Sequence, residues 1–145
     1  GNLSLLRSQE KTVVFTNGCF DILHPGHVDY LCQARDLGDF MILGLNTDAS
    51  VKKLNKAPNR PINNELARAG VLAGLACVDA IIFFDEETPY DLISFVMPNV
   101  LVKGDDYSVE QIVGHDIVLA NGGKVITVPL LQGFSTTAIL KKITG

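Results

Sequence analysis

The chain has 145 residues, 47% of them apolar, with a formal net charge of −4 and three cysteines, which is the size of one ordinary domain, 1–145, around a single core. No apolar run reaches the roughly 18 residues of a membrane span, and no charged leader ahead of an apolar stretch announces secretion, so a soluble, cytoplasmic domain is expected. The acidic balance excludes a general nucleic-acid binder, whose footprint is a basic stripe, and leaves room for a local basic pocket; an odd number of scattered cysteines suits a reducing compartment.

The first predicted strand, 12–16, reads Thr-Val-Val-Phe-Thr, β-branched and aromatic as a buried strand should be, and Asn17-Gly18 is expected to break it with a residue free to take φ > 0. A helix is predicted near 26–37, because Val28, Leu31, Cys32 and Arg35 keep a 3.6-residue spacing and Gly38 supplies a stop. His24 and His27 therefore bracket a helix N-terminus, where unpaired N–H groups and the positive end of the macrodipole favour phosphate. Two imidazoles there can donate hydrogen bonds to anionic oxygens, and Gly26 lets a ligand approach the backbone. Two other readings stand beside this one. The histidines with Cys19 nearby resemble part of a metal site, although neither Cys32 nor Cys77 has a second thiol close in sequence; or both histidines are only local structure at a helix start.

Further strands are predicted at 40–45, 80–84, 100–103 and 124–128, and helices near 49–54, 64–76, 89–96, 109–120 and 136–143. Thr88-Pro89 reads as an N-cap followed by proline at the first helical position, and Gly122-Gly123 closes the preceding helix. The alternation implies βαβ units: an α/β, Rossmann-like, doubly wound five-stranded parallel sheet of order 3-2-1-4-5 with helices on both faces. The irregular stretch 55–63 carries two prolines and the cations Lys56 and Arg60, a composition typical of functional or mobile loops. Ligands bind beyond the carboxyl ends of such strands, which gathers 17–27, Asn46-Thr47-Asp48, Lys103 to Asp106, and 133–137 over one edge. For Asn46-Thr47-Asp48, helix capping and ligand contact are equally open. Lys103 ends an apolar strand, so its charge either meets an anion or snorkels to solvent.

His24-Pro25-Gly26-His27 after the first strand, paired with Ser135-Thr136-Thr137 at the start of the last helix, resembles the signatures of the HxGH nucleotidyltransferase superfamily. The likeness extends through Phe15-Thr16-Asn17-Gly18-Cys19-Phe20-Asp21, Asn46-Thr47-Asp48-Ala49-Ser50, Arg60-Pro61-Ile62-Asn63, Val102-Lys103-Gly104 and Asp106-Tyr107, and is closest to the heptose 1-phosphate adenylyltransferases of bacterial lipopolysaccharide precursor synthesis. Asp105 departs from it, since the family commonly has a second glycine there.

The resemblance implies transfer of AMP from ATP, carrying Mg²⁺, to heptose 1-phosphate, giving ADP-heptose and pyrophosphate. It implies a catalytic set of His24, His27 and Lys103. Nucleotide contacts would come from Thr16, Asn17, Gly18, Cys19, Phe20, Gly26, Lys56, Arg60, Gly104, Ser135, Thr136 and Thr137, and substrate contacts from Asp21, Asn46, Asp48 and Asp106. His27 is the histidine expected at the α-phosphoryl oxygens. A separate heptose kinase upstream and a possible homodimer follow from the same resemblance, with no dedicated protein metal cage, no nucleic acid and no membrane. Sister activities, a cytidylyltransferase or a flavin adenylyltransferase acting on another phosphorylated acceptor, are the alternative, and a non-catalytic nucleotide sensor is a further one. A phosphate monoester is largely ionised at neutral pH and needs no general base, so such a reaction calls for positioning and charge stabilisation.

Overall fold

The computed structural model describes residues 2–54, 60–131, 139 and 141–143. Five parallel strands, β1 (Val13–Gly18), β2 (Phe40–Asn46), β3 (Ala80–Phe84), β4 (Val100–Gly104) and β5 (Lys124–Val128), form one sheet in the order β3-β2-β1-β4-β5, as expected. Alternating side chains divide the core in two. Val14, Met41, Leu43, Leu45, Val100 and Val102 pack on one face against α2 (Pro25–Arg35) and α4 (Glu65–Ala73). Val13, Phe15, Ile42 and Leu101 pack on the other against α5 (Tyr90–Val96) and α6 (His115–Ala120), with Leu3 and Leu6 of α1 (Asn2–Ser8) joining them. Burying each of these side chains contributes about 1.5–3 kcal/mol, and the period-2 alternation explains why central strands read as continuous apolar runs.

Several elements differ from expectation. Helix α1 was not predicted. β1 runs on to Gly18 because Asn17 and Gly18 stay in register with Gly44 and Leu45 of β2; the left-handed residue is Phe20, with φ 47°. Gly18 instead provides clearance, since a Cβ there would stand 2.8 Å from the Phe20 ring. The predicted 109–120 helix is a 3₁₀ turn, Val109–Gln111, and then α6, because Gly114 takes φ 89° between them. Helix α5 starts one residue late, with Pro89 rather than Thr88 in the cap position and no side-chain cap bond. The start of the predicted last helix, Thr136 and Thr137, lies outside the described residues; Ile139 and 141–143 are helical.

The strand order reverses between β1 and β4. β1 pairs with β2 through six residues but with β4 only at Val14↔Val100 and Phe15↔Leu101. Beyond that point the two strands part, and the hydroxyl of Tyr30, from α2, enters the gap: it lies 2.6 Å from Thr16 Oγ1 and donates to the Val102 carbonyl at 3.0 Å. Burial holds its phenol well above the ordinary tyrosine pKa, so it stays protonated.

Candidate active site

The parting of β1 and β4 opens a cavity of about 430 Å³ lined by Asn17, Gly18, Cys19, Phe20, Asp21, His24, Gly26, His27, Arg60, Lys103, Gly104 and Asp106, with Tyr30, Tyr107, Leu130 and Leu131 completing its wall. Twelve of the sequence-predicted positions thus meet in one place. A second cavity of about 360 Å³ adjoins it, lined by Asn46, Leu54, Glu87, Thr88, Pro89, Gln111, Ile112 and Val113, and sharing Asn17, Gly18, Cys19, Lys103 and Tyr107 with the first.

The histidine turn is built differently from the expected bare helix N-terminus. His24 is the N-cap of α2: its Nδ1 accepts the N–H groups of Gly26 (3.1 Å) and His27 (3.3 Å). An accepting Nδ1 puts the proton of the neutral ring on Nε2. Two backbone donors expected to face phosphate are therefore occupied by the cap, and the donor this turn can offer an anion is the imidazole. His27 stacks on His24 with ring centroids 3.7 Å apart and meets the edge of Phe20 at 5.0 Å. Burial, and then the neighbouring His24, push the His27 pKa down to about 4, so His27 is neutral near pH 7. Its Nδ1 is buried and makes no hydrogen bond among the described residues. Burial also lowers the pKa of His24.

Asp21 and Arg60 form a pair. The Asp21 carboxylate, fully buried, accepts from Arg60 Nε at 2.6 Å and from the N–H groups of Ile62 and Asn63 at 2.8 Å each. Burial alone would raise its pKa; the Asn63 and Ile62 hydrogen bonds, with the guanidinium, outweigh that and hold it below the ordinary value. Asp21 was expected to contact substrate; it lines the first cavity together with Arg60, and its carboxylate oxygens hold the 60–63 segment.

Asp48 and Thr16 line neither cavity. Asp48 accepts from Arg68 Nη2 at 2.8 Å, and Thr16 is spent on Tyr30. Thr47 resolves the capping question, its Oγ1 accepting from Ser50 N–H at 3.2 Å. Asn46 faces the second cavity and donates to Ser50 Oγ at 2.9 Å. Lys103 donates to the Asn17 carbonyl at 3.5 Å, and Asp105 is exposed, with its N–H on Val128 O. Lys56, Ser135, Thr136 and Thr137 lie outside the described residues, although Leu130 and Leu131, which lead toward the last three, line the first cavity.

Arg68 was missed. Its guanidinium, 2% exposed, donates to the carbonyls of Cys19, Asn46 and Asn63 as well as to Asp48, tying together the loops after β1 and β2 and the 60–63 segment. The available signal was one arginine inside an otherwise apolar helix, Leu-Ala-Arg-Ala-Gly-Val-Leu-Ala. A long cation in such a run needs buried partners.

A sheet of this order, with stacked imidazoles, a lysine and an arginine around the cleft at its reversal, is that of an α/β nucleotidyltransferase. The chain matches the cytidylyltransferase-like family over residues 15–142 and belongs to it. It is 56% identical over 99% of its length to "Bifunctional protein HldE" of Nitrobacter winogradskyi and 58% identical over 96% to the protein of that name from Pseudomonas savastanoi pv. phaseolicola, and it spans 29% of the length of each. Among solved structures it is similar to the lipopolysaccharide core biosynthesis protein from Thermoplasma volcanium, with a TM-score of 0.68, 26% identity, and coverage of 83% of this chain and 97% of that one. No helix among the described residues is long and apolar enough to cross a membrane.

Proposed function

We propose that this chain is an adenylyltransferase domain that moves AMP from MgATP to a heptose 1-phosphate, releasing pyrophosphate and forming ADP-heptose for lipopolysaccharide core precursors. The observation that carries the reading is the pair of adjoining cavities with Lys103 and Asn17 in their common wall: a bisubstrate transfer needs two pockets meeting at the reacting phosphorus. The nucleotide takes the cavity with His24, His27 and Arg60, and the sugar phosphate takes the one with Asn46. The likeness to proteins named HldE and to a lipopolysaccharide core biosynthesis protein supports the sugar acceptor. Because the chain corresponds to under a third of proteins named bifunctional, the sugar-phosphate supply is assigned to a kinase activity without assigning it to a separate chain.

Each residue then has a physical task. The acceptor phosphate is already anionic at neutral pH, so nothing has to remove a proton from it. The barrier lies in bringing two anions together and stabilising charge on the non-bridging and leaving oxygens. Lys103, between the pockets, offsets the repulsion. His24 and His27 donate N–H to the triphosphate; near the anion the depressed basicity of His27 rises again, which strengthens that bond. Arg60, aimed by Asp21, and Ser135, Thr136 and Thr137 hold the outer phosphates. Mg²⁺ arrives with the nucleotide, held chiefly by phosphate oxygens and water.

The test is pyrophosphate release with ATP, Mg²⁺ and heptose 1-phosphate together, against a panel of nucleotides and phosphorylated acceptors. Release only with CTP would move the assignment to a cytidylyltransferase, as the family's description allows, and binding of nucleotide without release for any acceptor would leave a sensor.

A further inference from the structure

We propose that Tyr107 is a positioning residue, holding the Lys103 ammonium in the wall between the two cavities; the proposal rests on the reading of Lys103 given above. Lys103 Nζ lies over the Tyr107 ring, 5.3 Å from its centroid, within the range where the negative face of an aromatic ring attracts a cation. Tyr107 lines both cavities, as Lys103 does, and 43% of it is exposed, so its ring is a partition rather than a core element.

The backbone is arranged to bring the ring there. After β4 the chain turns, Tyr107 N–H donating to the Gly104 carbonyl at 3.1 Å, which folds the residue four beyond Lys103 back over the lysine. Gly104 makes the tight turn feasible: a Cβ there would stand 2.7 Å from Asp106 Oδ1 and 2.8 Å from Leu130 Cδ2. A lysine side chain has several rotatable bonds and favours solvent. The Asn17 carbonyl accepts from the ammonium, and the Tyr107 ring adds a contact that further limits the swing of the long side chain. Restricting that swing before substrate arrives lowers the ordering cost of the transition state.

Steady-state pyrophosphate release and MgATP titration on the full chain test the proposal. Tyr107→Phe keeps the ring and should stay within about twofold of the parent, whereas Tyr107→Leu keeps apolar bulk without a π face and should lower kcat about threefold to fivefold. In a Lys103→Met background Tyr107→Leu should add no further loss. Equal kcat for the Phe and Leu variants, or the same Leu penalty without the lysine, would overturn the role. A Lys103→Met chain as active as the parent sinks the wider reading of the site instead, so the two failures are distinguishable. If no acceptor turns over, MgATP affinity must still rank Phe above Leu for the proposal to stand.

Discussion

The imidazole of His27 lies stacked on that of His24, planes 21° from parallel, while Nδ1 of His24 accepts the backbone N–H of His27. The first histidine therefore shapes the turn and supports the second ring. These tasks separate by substitution. His24→Ala loses both the cap and the ring, and should cost about 1 kcal/mol of stability, whereas His24→Asn, a good N-cap residue, should stay near the parent. Both should lose on the order of a hundredfold in turnover, by analogy with deleting one transition-state donor. Thermal melts beside pyrophosphate release check this; full activity in His24→Asn would show that only the cap matters.

Acid should weaken the fold in two stages. His27 has a pKa of about 4 in the folded chain against 6.5 for an ordinary histidine, so between these values the unfolded chain binds more protons. Stability is then lost as pH falls from about 6.5 to 4, by on the order of 2 kcal/mol after discounting for solvent screening. Asp21, whose folded pKa is lowered, contributes stability above its unfolded value of 3.8 that is lost only below that pH. Denaturant melts across pH should show the upper stage shrink in His27→Gln to what His24, whose pKa burial also lowers, still contributes, while the lower one stays.

Asp21→Asn keeps the shape of the side chain but removes its charge and one acceptor oxygen from the Arg60, Ile62 and Asn63 donors. Arg60 then loses its fixed aim. KM for ATP should rise about tenfold while KM for the acceptor stays within twofold. A rise confined to the acceptor would instead make Asp21 a contact to the sugar phosphate.

Arg68→Met removes the partner of the buried Cys19 and Asn46 carbonyls, of the partly buried Asn63 carbonyl and of one carboxylate. The loss should be about 3–5 kcal/mol, since the acceptors left behind are desolvated. Arg68→Lys retains the charge without the planar fork and should recover only part of it. Urea unfolding measures both; a loss under 1 kcal/mol for Arg68→Met would mean that water replaces the guanidinium freely.

The sheet was legible because each strand is a short apolar run between helical patterns, and the parallel order follows from that alternation. The site was legible at His24, His27 and Lys103, where a polar or charged residue stands at the end of an apolar strand or the start of a helix. The hydrogen-bond partners of Asp21, Asp48 and Thr16, of which only Asp21 lines a cavity, were not legible, because a short polar side chain near a ligand loop looks the same whether it faces solvent or a buried partner. Their partners lie far along the chain: Asp21 bonds Arg60, 39 residues on, and Asp48 bonds Arg68, 20 residues on. The split of the predicted 109–120 helix turned on Gly114, whose positive φ brings it close to Ile93 of α5, a long-range contact that local periodicity does not carry. Gly44 is a similar case, being needed because a Cβ there would stand 2.7 Å from the Phe15 ring.

The hydroxyl of Tyr30 bridges β1 and β4 where they part, and the helix that bears it starts at Pro25, with His24 as its cap and His27 in its first turn. Tyrosine and imidazoles ride on one helix. A disturbance that tilts this helix changes the width of the opening and the aim of the imidazoles together, so natural variation that retunes the acceptor is expected in the surrounding loops, with the helix and its tyrosine kept as a fixed gauge.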